Sequence, residues 1–176
     1  MIITELAPAK INLGLKILRK RPDGYHDILS LFQTVALYDE LGLSDRGSGL
    51  ECDCPGLSAG PDNLVLRAER AFREATGFKR PARFSLRKRI PVGAGLGGGS
   101  SDAAAALRGL ARLSGEPEAS QSLLLECAAK IGSDVPFLLT GGTAIVEGRG
   151  ERMEPVSWPF DFTYALIYPG FGISTA

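Results

Sequence analysis

The sequence predicts an α+β domain, and two kinds of apolar pattern carry that prediction. Several segments alternate apolar with polar or small residues, as in INLGLKIL (Ile11–Leu18), and this alternation is typical of strands. Other segments, such as residues 62–77, place apolar residues at helical spacing. The chain has 176 residues, of which 44% are apolar and 23% charged, so it suits one domain with a sizeable core.

Strands and turns are predicted for the first part of the chain. After the strand at Ile11–Leu18, the Pro, Asp and Gly of RPDGYH (Arg21–His26) indicate a turn. DILSLFQTVAL (Asp27–Leu37) and DELGLSD (Asp39–Asp45) predict two further strands. Residues 46–61 are rich in loop-forming residues and leave room for one short strand.

A helix and a strand follow. The helix covers residues 62–77, and Gly77 is expected to end it. Its apolar face consists of Leu64, Ala68, Ala71, Phe72 and Ala75. The alternation in ARFSLRKRI (Ala82–Ile90) then predicts a strand that leads directly into a glycine-rich loop.

Two more helices and a return to strands complete the prediction. An alanine-rich helix is expected from Ser101 to about Leu113, and a second helix from about Ser120 to Ile131. GTAIVEG (142–148) and FTYALIYPG (Phe162–Gly170) are predicted to be strands.

Charge, hydropathy and cysteine content argue against several classes of protein. Lys plus Arg equals Asp plus Glu at 20 each, which disfavours a dedicated nucleic-acid binder. No apolar run approaches the ~20 residues of a membrane span, and the N-terminus lacks the pattern of a signal peptide. Three cysteines fit a reducing compartment, so we expect a cytoplasmic protein without membrane partners. Cys52 and Cys54 could suggest a metal pair, but a single histidine favours ordinary thiols.

The loop in PVGAGLGGGSSDAAAAL (Pro91–Leu107) has the chemistry of a phosphate cradle. It lies between a predicted strand and a predicted helix, and glycine lets backbone N–H groups turn toward a ligand and approach it closely. Ser100, Ser101 and Asp102 are residues that often start helices, and a helix N-terminus favours an anion. The alanines that follow would let this helix pack closely on a sheet.

Three other interpretations of the loop fit less well. A Walker A motif requires a Lys after the glycines, and none is present. Gly93, Gly95 and Gly98 match G-x-G-x-x-G, but the acidic residue expected after the next strand of a dinucleotide-binding unit falls in a loop between helices. A flexible linker would not lie between strand and helix with Pro91 at its start.

PVGAGLGGGSSDAA resembles the phosphate-binding motif of the GHMP kinases, a superfamily of small-molecule kinases. Further segments resemble one branch of it, the 4-diphosphocytidyl-2-C-methyl-D-erythritol kinases. These segments are APAKINLGLKI (Ala7–Ile17), RPDGYHDILSLFQ (Arg21–Gln33), PDNLVLRA (Pro61–Ala68) and GSDVPFLLTGGTAIVEGRGE (Gly132–Glu151). The resemblance implies the GHMP-kinase N-terminal fold, which is similar to the second domain of ribosomal protein S5 and has a mixed sheet with helices on one side.

The resemblance also implies a reaction, the ATP-dependent phosphorylation of the 2-hydroxyl of 4-diphosphocytidyl-2-C-methyl-D-erythritol in non-mevalonate isoprenoid biosynthesis. Asp134 matches the family's catalytic aspartate, the base for the acceptor hydroxyl. Lys10 matches the catalytic lysine, which would keep that carboxylate ionised and stabilise developing charge. Taken alone, Asp134 would be a helix-end residue and Lys10 a solvated lysine at the end of a strand.

Two binding pockets follow from the same resemblance. The positions that match the ATP site are Pro91, Val92, Gly93, Ala94, Gly95, Leu96, Gly97, Gly98, Gly99, Ser100 and Ser101, with Asn63 and Lys88 near the adenine. The positions that match the acceptor site are Asn12, Phe32, and Tyr25 and His26 at the cytidine. The alternatives are a helix cap for Asn63, an exposed basic residue for Lys88, a turn residue for His26 and a core residue for Phe32.

The resemblance implies ATP and Mg²⁺ as cofactors and a small-molecule acceptor, and it leaves a homo-oligomer open. Family members carry a second, C-terminal domain, and this chain stops where the connection to it would lie, so residues 1–176 are expected to be the N-terminal domain and to be inactive alone. Two alternatives stay open: a GHMP kinase of the mevalonate or homoserine type, and a non-catalytic nucleotide-binding or S5-like interaction domain.

Overall fold

The computed structural model describes residues 1–22, 24, 26–115, 120–157 and 162–171, which form a sheet and a layer of helices. The strands are β1 (Ile2–Lys20), β2 (His26–Ser44), β3 (Gly49–Cys52), β4 (Arg83–Arg87), β5 (Thr143–Gly148) and β6 (Arg152–Pro155). The helices are α1 (Leu64–Thr76), α2 (Gly98–Ser114), α3 (Gln121–Ile131) and α4 (Val135–Thr140).

The long strand β2 organises the sheet. Along one edge it pairs with β1, antiparallel, from Ser44 to His26, with register shifts at three points. Along the other edge its first half pairs with β5 and its second half with β4, both antiparallel. Only the β3–β4 pair is parallel among the described strands, so the sheet is mixed, as expected.

One face of the sheet is buried and the other is open. In β4, for example, Phe84 and Leu86 are buried, whereas Arg83, Ser85 and Arg87 are exposed. Helix α2 packs on this buried face, and its run Ala103–Ala106 is fully buried. Because alanine side chains are small, the helix axis approaches the strands closely, and a Cβ added to Gly109 would lie 3.1 Å from Leu43 Cδ2. The predicted packing of the alanine-rich helix is therefore confirmed.

Several predicted elements differ from the structure. The two predicted strands form the single strand β2, since its pairing with β1 resumes at Val35 after a register shift next to Tyr38. The helix predicted from Ser101 begins at Gly98, and α4 and β6 had no prediction. Phe162–Gly170 is not a strand, which corrects that prediction, and Ile167 there is 93% exposed. An apolar alternating pattern forms a strand only where a neighbouring strand offers backbone hydrogen bonds.

Some predicted boundaries are confirmed by specific caps. Gly77 ends α1 in the left-handed conformation, with φ 72°, and its N–H donates to Arg73 O. The short strand expected within residues 46–61 is β3. In the part of the chain that the structure describes, the helices are all too short or too polar to cross a membrane.

Candidate active site

A cavity of about 300 Å³ lies between the glycine loop and the start of α1. It is lined by Leu57, Ser58, Asp62, Asn63, Leu64, Lys88, Pro91, Val92, Gly93, Ala94, Gly95, Leu96, Gly97, Gly98, Gly99 and Asp102. The predicted nucleotide positions from Pro91 to Gly99 therefore lie together, and they share the cavity with Lys88, just before the loop, and with Asn63, which is distant in sequence.

The loop keeps its shape through left-handed glycines and one backbone anchor. Gly93, Gly95 and Gly97 have φ of 74°, 74° and 72°, a region that L side chains rarely adopt. No atom of the described residues outside its chain neighbours lies within 4 Å of a Cβ built on Gly95, so this backbone faces open space. The N–H of Lys10 donates to Leu96 O over 2.9 Å, which joins the loop to β1.

Helix α2 starts immediately after the loop and presents its N-terminus there. Gly97 is the N-cap, and it has no side chain to satisfy the first N–H groups of the helix. Ser100 and Ser101 are therefore inside the first turns and are not caps, which corrects the predicted helix start. The Ser101 hydroxyl donates to Pro8 O over 2.7 Å and is buried, so this side chain fastens α2 to β1 and does not reach the cavity.

Asn63 caps helix α1, as its alternative interpretation predicts, and it also lines the cavity. Its Oδ1 accepts from the N–H of Val65 over 3.0 Å, which caps α1. Its Nδ2 donates to Ser58 O over 2.7 Å, and both residues line the cavity. The cap thus fixes one wall of the cavity.

Lys88 is not an exposed basic residue. Its side chain is 6% exposed, and Nζ lies 2.5 Å from Asp39 Oδ2 and 2.7 Å from Asp102 Oδ2. Asp39 Oδ1 also accepts from the N–H groups of Arg89 and Ile90. This buried cluster, Asp39–Lys88–Asp102, joins β2, the segment after β4 and helix α2 directly beneath the loop.

The cluster contains two carboxyl groups and one ammonium group, and the pKa values of Asp102 and Lys88 are both raised. Burial raises the pKa of Asp102 to about 7, against the lowering effect of Lys88, while Asp39 raises it further. Burial alone would lower the pKa of Lys88, but Asp102 and Asp39 outweigh it and the pKa is raised. Among the described residues, Asp102 Oδ1 is the buried side-chain oxygen that lacks a hydrogen-bond partner.

Lys10 and Asp134 lie beside each other at the edge of the loop. Lys10 Nζ is 3.4 Å from Asp134 Oδ2, and the lysine side chain is 8% exposed. Asp134 is the N-cap residue of α4, yet its side chain makes no capping hydrogen bond. Its carboxylate is therefore available to a ligand as well as to Lys10, and at 30% exposure it remains accessible.

Asn12 and Phe32 hold Lys10 in place, and Ser30 in turn holds Asn12. Its Nζ donates to Asn12 Oδ1 over 2.8 Å and lies 4.6 Å from the centroid of the Phe32 ring. Asn12 Nδ2 donates to Ser30 Oγ, whose hydroxyl donates to Gly14 O. Phe32 is 2% exposed and packs edge-on against Phe137, as its core interpretation predicts. The position of the Lys10 ammonium is thus fixed by Asn12, Phe32 and Asp134.

His26, one of the two predicted cytidine residues, lies away from this pair. His26 is exposed at the start of β2, opposite Lys20 of β1. Six residues of strand separate His26 from Phe32, which corresponds to roughly 20 Å. Tyr25 lies outside the described residues, so its predicted role stays a prediction.

Sequence reasoning missed the acidic residues of the buried cluster beneath the loop. Asp39 appeared only as the start of a predicted strand, and Asp102 only as a helix-start residue. The available signal was an Asp in the middle of the apolar run ALYDELGL, since a charged residue in a buried strand needs a partner. Nothing in the sequence named Lys88 as that partner.

The cavity fits the phosphates of a nucleotide, because bare glycine backbone and a helix N-terminus face it. Mg²⁺ finds less support, since the described ranges contain no group of three or more His, Cys, Asp or Glu side chains able to hold a metal. A magnesium ion that accompanies ATP commonly keeps several waters and is held by phosphates with one or two carboxylates. Accessible carboxylates at this site are Asp62, which is exposed in the cavity wall, and Asp134 beside Lys10.

Comparison with known proteins agrees with this geometry. Residues 63–142 match the family described as the GHMP kinases N terminal domain. A crystal structure of 4-(cytidine 5'-diphospho)-2C-methyl-D-erythritol kinase superposes with a TM-score of 0.75 at 44% identity and covers 89% of this chain and 56% of that chain. Homoserine kinase from Cytophaga hutchinsonii shares the fold, with a TM-score of 0.66 at 22% identity over 90% of this chain and 52% of that one.

The chain therefore has the fold of a GHMP kinase N-terminal domain, and residues 63–142 match that family by sequence. Within that superfamily it is similar to curated proteins named 4-diphosphocytidyl-2-C-methyl-D-erythritol kinase. The protein from Pelotomaculum thermopropionicum is 46% identical over 100% of this chain and 62% of its own length. The protein from Thermotoga maritima is 47% identical over 95% of this chain and 60% of its own length. The chain spans about three fifths of the length of these relatives.

Proposed function

We propose that this chain is the ATP-binding and catalytic domain of a 4-diphosphocytidyl-2-C-methyl-D-erythritol kinase. One observation carries the proposal: the same residue, Lys10, anchors the phosphate loop through its N–H and contacts Asp134 through its ammonium. A phosphate cradle and an acid–base pair are therefore joined at one position, which is the arrangement that phosphoryl transfer to a hydroxyl requires.

In the proposed reaction, the acceptor 2-hydroxyl oxygen bonds to the γ-phosphorus of ATP while the bond from that phosphorus to the β–γ bridging oxygen breaks. The hydroxyl proton passes to the Asp134 carboxylate, and ADP leaves. Lys10 stabilises the carboxylate before the transfer and the phosphoryl charge during it. The loop N–H groups and the α2 N-terminus hold the phosphates. Mg²⁺, when bound with ATP, would neutralise phosphate charge.

The distance between the two ends of the proposed acceptor site favours a long acceptor. The hydroxyl would lie at Asp134, beside Lys10 and Phe32. His26 lies roughly 20 Å along the strand from Phe32, at the other end of the proposed acceptor site. A cytidine joined through a diphosphate to a polyol can extend along this hairpin. Mevalonate and homoserine are too short to use both ends, so we propose the cytidyl compound as the acceptor and the cytoplasm as the location of the reaction.

The test is a substrate panel assayed with ATP, using the complete gene product that contains this chain. We expect phosphorylated product from the cytidyl acceptor, and kcat/KM values for mevalonate and homoserine that are lower by several powers of ten. Equal or faster turnover of either small acceptor would refute the assignment. Nucleotide binding without any transfer would instead favour the non-catalytic alternative.

A further inference from the structure

The turn between β5 and β6, residues 148–151, touches the segment that carries Asp134. A Cβ built on Gly150 would lie 2.9 Å from Ser133 O and 3.1 Å from Ser133 Cβ. Real Cβ atoms essentially never approach backbone that closely. The backbone of Gly150 is therefore packed directly against the residue before Asp134.

The turn is held rigidly in this position. Gly150 has φ 118°, and its N–H donates to Glu147 O over 3.2 Å. The Glu151 carboxylate accepts from the N–H of Arg149 over 2.6 Å and lies under Gly148. Because these hydrogen bonds oppose displacement of the turn, the position of Gly150 restricts the position of Ser133, on which it packs.

Asp134, by contrast, is weakly fixed through its own side chain. It makes no capping bond to α4, and the partner that the structure gives its carboxylate is Lys10, at 3.4 Å. The backbone before Ser133, at Gly132, is extended and follows the end of α3. The direction of the carboxylate thus depends on where the Ser133 peptide lies.

We infer that Gly150 is a positioning residue for the proposed reaction: the β5–β6 turn sets the location of Asp134 by packing against Ser133. The inference depends on the proposed function for its kinetic consequence. Its structural part, the dependence of the Lys10–Asp134 separation on Gly150, stands without it. A misplacement of about 1 Å can cost about 10²-fold in rate.

The experiment compares Gly150→Ala with Gly49→Ala in the complete gene product. Gly49 is also left-handed, with φ 97°, but a Cβ there meets nothing within 4 Å, so it is a control for backbone strain alone. We expect G150A to lower kcat at least tenfold, with the KM for ATP changed less than twofold, and G49A to leave both near the wild-type values. Crystal structures should show a longer Lys10–Asp134 separation in G150A only.

A rescue variant guards against simple misfolding. Adding Ser133→Gly to G150A removes Ser133 Cβ, one of the atoms that the new methyl group meets, and gives the peptide more freedom to move its carbonyl oxygen away from that group. Part of the lost kcat should therefore return, whereas Ser133→Gly alone measures its own cost. A kcat for G150A within twofold of that for G49A, or an unchanged Lys10–Asp134 separation, would overturn the inference. An inactive wild-type enzyme would refute the proposed function, and the separation would still decide the positioning role.

Discussion

Lys10 shows how one residue can serve structure and chemistry together. Its methylene chain packs on Gly97, where an added Cβ would lie 2.9 Å from Lys10 Cγ. Its ammonium faces Asn12, Phe32 and Asp134. Truncating this side chain would remove packing as well as charge, so a test of its chemical role must keep the methylenes.

Lys10→Met and Asp134→Asn are therefore the informative substitutions. Each keeps the shape of the side chain and removes the charge or the basicity, so turnover should fall by about 10²–10⁴-fold while ATP affinity changes little. The measurements are steady-state kinetics and calorimetric titration with ATP. A variant that keeps near-wild-type turnover would exclude that residue from the reaction.

His26 provides a separate test of acceptor recognition. Because it is exposed at the far end of β2, His26→Ala should not disturb the core. We expect a rise of several-fold in the KM for the cytidyl acceptor with no change in the KM for ATP, and Tyr25→Ala should behave similarly if a base stacks there, at about 1–3 kcal/mol. Lys20→Ala, opposite His26, is the matched control. An equal effect on both substrates would contradict the assignment.

The glycine loop is the element on which nucleotide binding depends. Its glycines differ in what surrounds them, and this decides which substitution is informative. Gly97 contacts Lys10 and Leu138, so a larger residue there would disturb Lys10 and the start of α2. Gly95 faces open space, so a methyl group there would project toward the ligand without displacing neighbouring protein atoms.

Gly95→Ala should weaken ATP binding at least tenfold because the methyl group occupies the space that phosphate would approach. Gly77→Ala is the control, since it has nearly the same φ, 72° against 74°, and also meets nothing within 4 Å. Both should lower the melting temperature by similar amounts, and only G95A should lose nucleotide affinity in calorimetry. Equal affinities would show that the loop does not hold phosphate.

At the scale of the whole molecule, the Asp39–Lys88–Asp102 cluster links the sheet to the central helix. The cluster is almost completely buried, so its charges cannot be screened by water. In the folded protein the pKa of Asp102 is raised from 3.8 to about 7. Between these values the folded state binds more protons than the unfolded state, so the contribution of Asp102 to stability is full below about pH 4 and is lost as the pH rises to about 7.

Asp102→Asn should remove this dependence. A shift of this size corresponds to at most about 4 kcal/mol, so the stability of the variant relative to wild type should increase between about pH 4 and 7 and stay level at higher pH. Urea unfolding at several pH values measures it. The pKa values of Asp27 and Asp45 are lowered by neighbouring Arg groups and the N-terminus. These two residues therefore change the stability only below about pH 4, outside the range in which Asp102 titrates. A constant difference between the two proteins would show that Asp102 does not titrate.

The sequence predicted local elements well where one chemical signal decided them. Gly77 ends α1 because only a left-handed residue continues the chain there, and the alanine run is buried because its side chains are small. It failed at Phe162–Gly170 and at the start of α2. A strand needs a partner, and the glycines that look like loop residues begin the helix once the loop is anchored to Lys10.

By itself, the sequence determined the α+β class, the glycine loop between strand and helix, and the motifs that pointed to Lys10 and Asp134. The class and the loop follow from the conformational preferences of neighbouring residues, and Lys10 and Asp134 were indicated by short motifs that resemble those of the GHMP kinases. Only the tertiary structure decided that Lys10 lies 3.4 Å from Asp134, that Lys88 is buried between Asp39 and Asp102, and that Gly150 packs on Ser133. These contacts join residues that are far apart in sequence, and their geometry arises from the packing of the helices on the sheet.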